Sequence, residues 1–312
     1  MPAFKMEKMT NNKVLKGVFL VGLGATSYGM LATFVKMAYA DTGNTGNPFT
    51  PAEVITSQFI LGIVAILMIN FFQKIKNKNT ATKASANHIK QLMIAGTSTG
   101  FTSIFYYLAV RYVPVSIGIV LLMQTVWMGV LLEMVLEKKI PSTTKIIAVF
   151  IVLIGTVLAT NILQDTTTLD WRGIVLGLLA AASFTTTMFT ANRIAIGISS
   201  AQRSLYMLLG GAVVVFIFAL LTQHTPFNGD IFYKWGILLA LFGTVIPPML
   251  MNAGFPHTGI GLGSIVSSME LPVSVLMAYF LLQEEVVLLQ WIGILLILAA
   301  IVAMNIQKKK NK

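Results

Sequence analysis

An all-α integral membrane protein, with ten transmembrane helices arranged as two inverted five-helix repeats, is the fold class that this sequence predicts. Three observations lead to it: the composition, the spacing of the apolar runs and the similarity between the two halves of the chain. Hydrophobic residues make up 56% of the 312 and charged residues 11%, against soluble averages of about 45–50% and 25%. A chain this poor in charge belongs in lipid.

A spanning helix needs about 20 apolar residues, at ~1.5 Å each, to cross ~30 Å of hydrocarbon. Ten such runs lie near residues 14–40, 52–72, 90–111, 115–136, 144–163, 173–192, 203–222, 234–255, 259–282 and 287–306, separated by short Pro, Asn, Asp or Lys clusters. The first run is too long for the apolar region of a cleaved signal peptide, and no small-residue cleavage pattern stands out after it. Cysteine is absent, which excludes disulfides, thiolate metal sites and cysteine nucleophiles.

The formal charge of +11 would suggest nucleic acid in a soluble chain. Here the basic residues lie between apolar runs and at the two ends, where they read as topology signals and not as a nucleic-acid surface. With the N-terminus placed inside, the segments around residues 5–16, 74–90, 138–145, 193–203 and 308–312 hold 18 of the 22 Lys and Arg. Only Lys36, Arg111, Arg172 and Lys234 fall outside. This imbalance favours two cytoplasmic termini, as does an even number of spans.

The chain also repeats itself. "GVFLVGLGATSY" at 17–28 lies over "GIVLGLLAAASF" at 173–184, and, more weakly, "VLLMQTV" at 120–126 lies over "IVSSMEL" at 265–271. Five spans per half force the second copy to insert upside down, with a substrate path at the interface. The boundary falls in the polar loop 163–173, dividing the chain into 1–165 and 166–312.

These segments carry a resemblance. The ten runs in two halves, the opening "GATSYGMLATFVK", the "LAVRYVPVSIGIVLLMQ" of the third and fourth runs and the closing "MELPVSVLMAYFLLQEEVVLLQWIGILLILAAIVAMN" resemble the EamA-type transporters of the drug/metabolite transporter superfamily. In that family each half tends to end with a proline-bearing helix, a short loop with glutamate and a closing helix with spaced small residues. Glu284, Gln290 and Gly293 match this in the second half, and Glu137, Pro141 and Gly155 match more loosely in the first. Gln58 stands where many members have arginine, and Gln124 where proline or an acid is common. The resemblance implies two EamA-like five-helix repeats and an exporter of small metabolites, without naming the cargo.

Within the ninth run, Glu270 lies about ten residues deep, roughly 15 Å from the surface. An acid there costs ~2.5–3.5 kcal/mol on insertion scales, so it faces the bundle interior or water. Helical spacing puts Gly263, Ser267, Glu270, Ser274 and Met277 on one face. Pro272 cannot donate to the carbonyl of Ser268, which leaves an acceptor near the acid. Lys36, Arg111, Arg193 and Arg203 lie toward span ends where they can snorkel, so no deep cation is expected. Glu270 then binds a substrate amine, a proton or each in alternation, or else it is a neutral acid hydrogen-bonded to a neighbouring helix.

Other polar stripes could surround the acid or serve only helix packing. They are Ser183, Thr186, Thr187 and Thr190 on the sixth run, Thr99, Thr102, Ser103 and Tyr106 on the third, and Gly24, Ser27 and Tyr28 on the first, where the halves meet. On the fourth run Gln124 reads as the pseudo-symmetric counterpart of Glu270, and Trp127 as either a cavity wall or a lipid-facing ring. Pro247 and Pro248, with Asn252 one turn on, mark a hinge, a broken helix or a static kink. Glu53 is explained by the dipole of its helix, and Glu133 and Glu137 by solvation or loop capping at a span end.

No metalloprotease, nucleophile-elbow or Walker motif occurs, and His88, His224 and His257 lie at loops or span ends. The expectation is therefore a transporter and not an enzyme, without metal or other cofactor, in a bacterial-type plasma membrane. It exports small polar or amphipathic metabolites, amino acids first, driven by a gradient or acting as a uniporter. The rival reading is a flippase for a lipid or lipid carrier. Its partners are a small-molecule substrate and membrane lipid, as monomer or homodimer.

Overall fold

The computed structural model describes residues 11–310 except 45, 77–83, 114, 161–169 and 284. The predicted repeat boundary at 165 and 166 and the loop glutamate Glu284 lie outside the described residues. Within them the chain is helical: α1 (Asn11–Ala40), α2 (Pro51–Lys76), α3 (Ala86–Ala109), α4 (Val115–Leu122), α5 (Thr125–Glu137), α6 (Thr143–Ala159), α7 (Trp171–Arg193) and α8 (Ser200–Thr222) come first. There follow α9 (Ile237–Leu239), flanked by π-helical turns at Phe232–Gly236 and Ala240–Val245, then α10 (Ile246–Thr258), α11 (Ile260–Ser267), α12 (Glu270–Leu282) and α13 (Leu288–Lys310). Polar side chains cap the starts. Ser85, Ser142, Asp170 and Ser199 accept from the first-turn amides of α3, α6, α7 and α8, satisfying donors that a helix leaves orphaned.

Reading through the breaks, seven helices are long and apolar enough to cross a membrane among the described residues. Thr143–Ala159 and Leu288–Met304 are apolar but shorter, and α3 is diluted by Thr97, Ser98, Thr99, Thr102 and Ser103. The ten predicted runs therefore map onto helices of unequal apolar length, not ten equivalent spans.

Close packing rests on glycine. Helix α3 lies between α7 and α8, α1 runs against α10, α11 and α12, and α6 pairs with α13. A Cβ at Gly96 would collide with the Met207 carbonyl oxygen, and one at Gly210 with that of Met93. Gly155 of α6 faces the Gly293 carbonyl, which a Cβ would meet at 2.9 Å. In lipid there is little hydrophobic force between helices, so such backbone approach supplies the association through dispersion contact.

The breaks show the repeat. Helix α4 ends before Met123–Gln124 and α11 before Ser268–Met269, positions related by a constant offset, 268 − 123 = 145. The backbone bonds repeat at that offset: Gln124 N–H to Leu121 O matches Met269 to Val266, Val126 to Met123 matches Leu271 to Ser268, and Met128 to Gln124 matches Val273 to Met269. Both rods end in left-handed residues, Lys138 (φ 51°) and Gln283 (φ 55°), again 145 apart. This corrects one expectation: the counterpart of Glu270 is Thr125, the first residue of α5, and Gln124 corresponds to Met269.

Contacts also orient the helices. Gly17 near the start of α1 meets Gly254 and His257 near the end of α10, and Asn192 near the end of α7 donates to the Phe255 carbonyl (2.7 Å). These ends lie together, opposite the end where α1 finishes and α2 begins. Gln290 donates to the Ala159 carbonyl (3.0 Å), joining the start of α13 to the finish of α6, whose own start, with Lys145 against Glu133 and Gly261, lies at the far end. Helix α1 therefore starts, and α13 finishes, at the same end of the bundle.

A polar tie closes the loop after α1. The Asp41 carboxylate accepts from Gly43 N–H (2.8 Å) and Trp235 Nε1–H (2.9 Å), with Lys234 Nζ at 3.3 Å. The amide of Gly43, the indole and then the ammonium hold the Asp41 carboxyl below its usual range. A depressed carboxylate contributes above its unfolded pKa and is lost as pH falls through its folded value. The Trp235 fluorescence change on acidification, isolated by comparison with Trp235→Phe, is therefore expected to have its midpoint below the ordinary value of about 3.9, and Asp41→Asn to remove it.

Glu53, in the first turn of α2, has more than a dipole for company. It accepts from Thr50 N–H (2.8 Å), Gln223 Nε2 (3.0 Å) and Asn228 N–H (2.8 Å), pinning the start of α2 to the segment after α8. At the far end, Glu133 pairs with Lys145, and Glu137 lies 3.8 Å from Arg193; both are helix-to-helix contacts, where solvation or loop capping was expected.

Candidate substrate site

A cavity of about 430 Å³ lies between the two halves, walled by α1, α2, α3, α4, α7, α12 and the second π-helical turn. This is the size of a small-molecule site. Pro48, Phe49 and Pro51 mark its mouth, at the junction of α1 and α2, and Glu270 and Thr187 lie on its wall.

Glu270 is half-buried and is the first residue of α12, where the helix dipole is positive. The break just before it makes that position possible. Tyr28, Tyr106 and, one turn on, Ser274 line the same cavity. At Gly29 a Cβ would strike the Glu270 carbonyl oxygen and lie 2.8 Å from Val273 Cβ, so α1 crosses α12 at the break itself. Pro272 sits in the first turn of α12, where a missing N–H is tolerated. The Ser268 carbonyl is not left open: Leu271 N–H donates to it at 3.2 Å.

Three buried polar atoms on the cavity wall lack a partner: Tyr39 Oη, Gln58 Oε1 and Thr99 Oγ1. Leaving a buried polar group unpaired costs about 1–3 kcal/mol, so each is a binding valence for water or cargo. Cations are present too, contrary to expectation. Lys36, on the same face of α1 as Tyr39, and Arg111, just past the end of α3, line the cavity near its mouth, instead of snorkelling away. The stripe Tyr28, Ala32, Val35, Lys36, Tyr39 on α1 carries this in its i, i+3, i+4 spacing, read on from Ser27 and Tyr28. Thr99, Thr102, Ser103 and Tyr106 of α3 all line the cavity, whereas from the α7 stripe only Thr187 does.

Several predicted residues lie elsewhere. Gln124 Nε2 donates to the Val120 carbonyl (3.0 Å), and its Oε1 accepts from Trp127 Nε1 (2.9 Å). Trp127 is 37% exposed and does not line the cavity; its indole binds back onto its own helix and its ring faces outward. Brominated lipids are accordingly expected to quench Trp127, measured as the quenching lost in Trp127→Phe.

Hydroxyls at three other positions serve packing. Ser27 donates to Phe242 O (3.3 Å), Ser183 to Ser98 O (2.8 Å) and Ser267 to Gly263 O (2.9 Å). Ser267 and Gly263 are buried on α11, because the break splits the stripe expected to continue to Glu270. Pro247 and Pro248 are the second and third residues of α10 and follow the π-helical turn 240–245. Neither can donate an N–H, and the wide turn absorbs them without an unwound gap. The Ser27 hydroxyl then supplies the Phe242 carbonyl, which a π-type bond from residue 247 would otherwise have served. Asn252 Nδ2 donates to Ser204 Oγ (2.9 Å) and lies outside the large cavity. Arg203 does not snorkel: it is 2% exposed and bound to backbone carbonyls.

A multi-pass helical bundle with an inner repeat and a solute-sized cavity between its halves defines the class of small-molecule membrane transporters. The chain belongs to the EamA-like transporter family, whose pattern matches residues 15–161 and 171–306, one match per repeat. A solved structure described as "Crystal structure of protein" is similar in fold, with a TM-score of 0.72 at 14% identity, over 91% of this chain and 97% of that one. No curated protein matches.

Proposed function

We propose that this protein exports small polar or amphipathic metabolites, amino acids first, by alternating access between its repeats, driven by a gradient or acting as a uniporter. In this reading the ten apolar runs of the sequence cross a bacterial-type plasma membrane with both termini in the cytoplasm, so that the mouth beside Lys36 and Arg111 faces outward. The observation that carries this reading is a cavity between the repeats with a carboxylate at a broken helix and two basic side chains nearer its mouth. A cargo bearing both an amine and a carboxylate is complementary to that arrangement, and the unpaired Tyr39, Gln58 and Thr99 atoms can accept or donate to its polar edges.

The test is a metabolite profile of the medium from cells expressing the protein against cells with empty vector. Enrichment of amino acids or similar solutes supports the reading. A cargo that stays with the membrane fraction would point to a lipid or lipid-carrier flippase instead.

A further inference from the structure

Below the large cavity lies a second, of about 20 Å³, and the two share Tyr28, Thr99, Phe184 and Thr187 on their walls. That is room for one water molecule. Asn252, 2% exposed, lines it with its Oδ1 buried and unpartnered, and Thr99 Oγ1 is likewise unpartnered. Both unpaired atoms thus belong to residues that line the small cavity, and Thr99 lines the large one as well.

At the far side of Asn252 is Arg203. Its Nε donates to Ile194 O (3.0 Å), Nη1 to Asn252 O (2.5 Å), and Nη2 to Thr190 O (3.1 Å) and Ala191 O (2.5 Å). One side chain thus fastens the last turn of α7 to α8 and α10. The carbonyl end of α7 is where a helix favours a cation, so the guanidinium is compensated without an acid. In the other repeat the start of α2 is held differently, by the Glu53 carboxylate and its bonds from Thr50, Gln223 and Asn228. Helices α2 and α8 begin at 51 and 200, and Gly62 and Gly211 are contact glycines of the same pair of helices; both offsets are 149. Arg203 then corresponds to Val54, since 203 − 149 = 54, and Val54 is a fully buried apolar residue. The end with valine is the end at which the cavity has its mouth.

We propose that the substrate path continues through the small cavity and that Arg203 is the latch that closes its far end. This rests on the transport reading and adds to it a resting state open only at the mouth. Releasing the far end requires the four Arg203 bonds to break together.

The chain has no native cysteine, so single-thiol reporters are clean. Val35→Cys reports the large cavity and Met251→Cys the small one, each treated with a membrane-impermeant maleimide on right-side-out and inside-out vesicles. With Arg203 intact, Val35→Cys reacts from the mouth side only, and Met251→Cys is protected from the far side. In Arg203→Met, far-side labelling of Met251→Cys is expected to rise about tenfold, the shift that follows when several charge-assisted bonds to one conformer are lost. Arg203→Lys keeps the charge with fewer donors and should give an intermediate rate; it also serves if Arg203→Met does not fold. Unchanged far-side labelling in folded variants overturns the latch and leaves the transport reading standing. Failure of Val35→Cys to react from either side, in every background, removes the aqueous path and both readings with it.

Discussion

Glu270→Gln is expected to reduce export at least about thirtyfold while leaving the amount of folded protein in the membrane unchanged. Glutamine has nearly the same volume and keeps an acceptor, so the α1–α12 crossing at Gly29 is undisturbed. What it lacks is the charge. In the proposed site Glu270 pairs with the cargo amine, and removing one partner of a desolvated charge pair costs about 2–5 kcal/mol; the lower end of that range is already near thirtyfold. The measurement is solute release into the medium at matched membrane levels. Wild-type rates and an unchanged pH profile in the variant would assign Glu270 to helix packing alone.

Gly96→Val is expected to prevent stable assembly. A Cβ at Gly96 collides with the Met207 backbone, and backbone cannot rotate out of the way as a flexible side chain can. Extra methyl groups forced into a well-packed interface cost about 1–3 kcal/mol, occasionally more, and the close α3–α8 approach leaves little slack. Gly197→Ala is the control, because nothing lies within 4 Å of its missing Cβ. Detergent-solubilised Gly197→Ala should melt with the wild type, and Gly96→Val should aggregate or melt many degrees lower.

The helices and their repetition were legible in the sequence because both depend on local properties: apolar length, glycine spacing and the register of "VLLMQTV" over "IVSSMEL". That register places the two helix breaks at equivalent positions in the structure. Glu270, Tyr28, Tyr106, Ser274 and Thr187 lie on one cavity wall because a polar group on an apolar helix must turn inward, and helical spacing tells which neighbours turn with it. Where the helix breaks, the same reasoning fails. Ser267 and Glu270 cease to share a face at Ser268–Met269, and no period-based reading can see that.

The misplaced residues have a second cause. Gln124, Ser27 and Ser183 each found a backbone carbonyl within reach, and a side chain that satisfies a neighbouring helix is indistinguishable in sequence from one that waits for cargo. Trp127 follows from Gln124, whose Oε1 holds its indole. Arg203 and Lys36 were misjudged through their distance from span ends: whether an arginine snorkels or folds inward depends on whether carbonyls converge on it. The ends of α7 and α10 converge only in three dimensions.

The most direct test of the cavity as the cargo site is exchange of radiolabelled amino acids in proteoliposomes containing the purified protein, competed with analogues lacking the amine or the carboxylate. Exchange is predicted for the wild type, with competition only by solutes carrying both groups and with loss in Glu270→Gln. Equal competition by analogues that lack the amine, or undiminished exchange in Glu270→Gln, would contradict the placement of the cargo amine at Glu270.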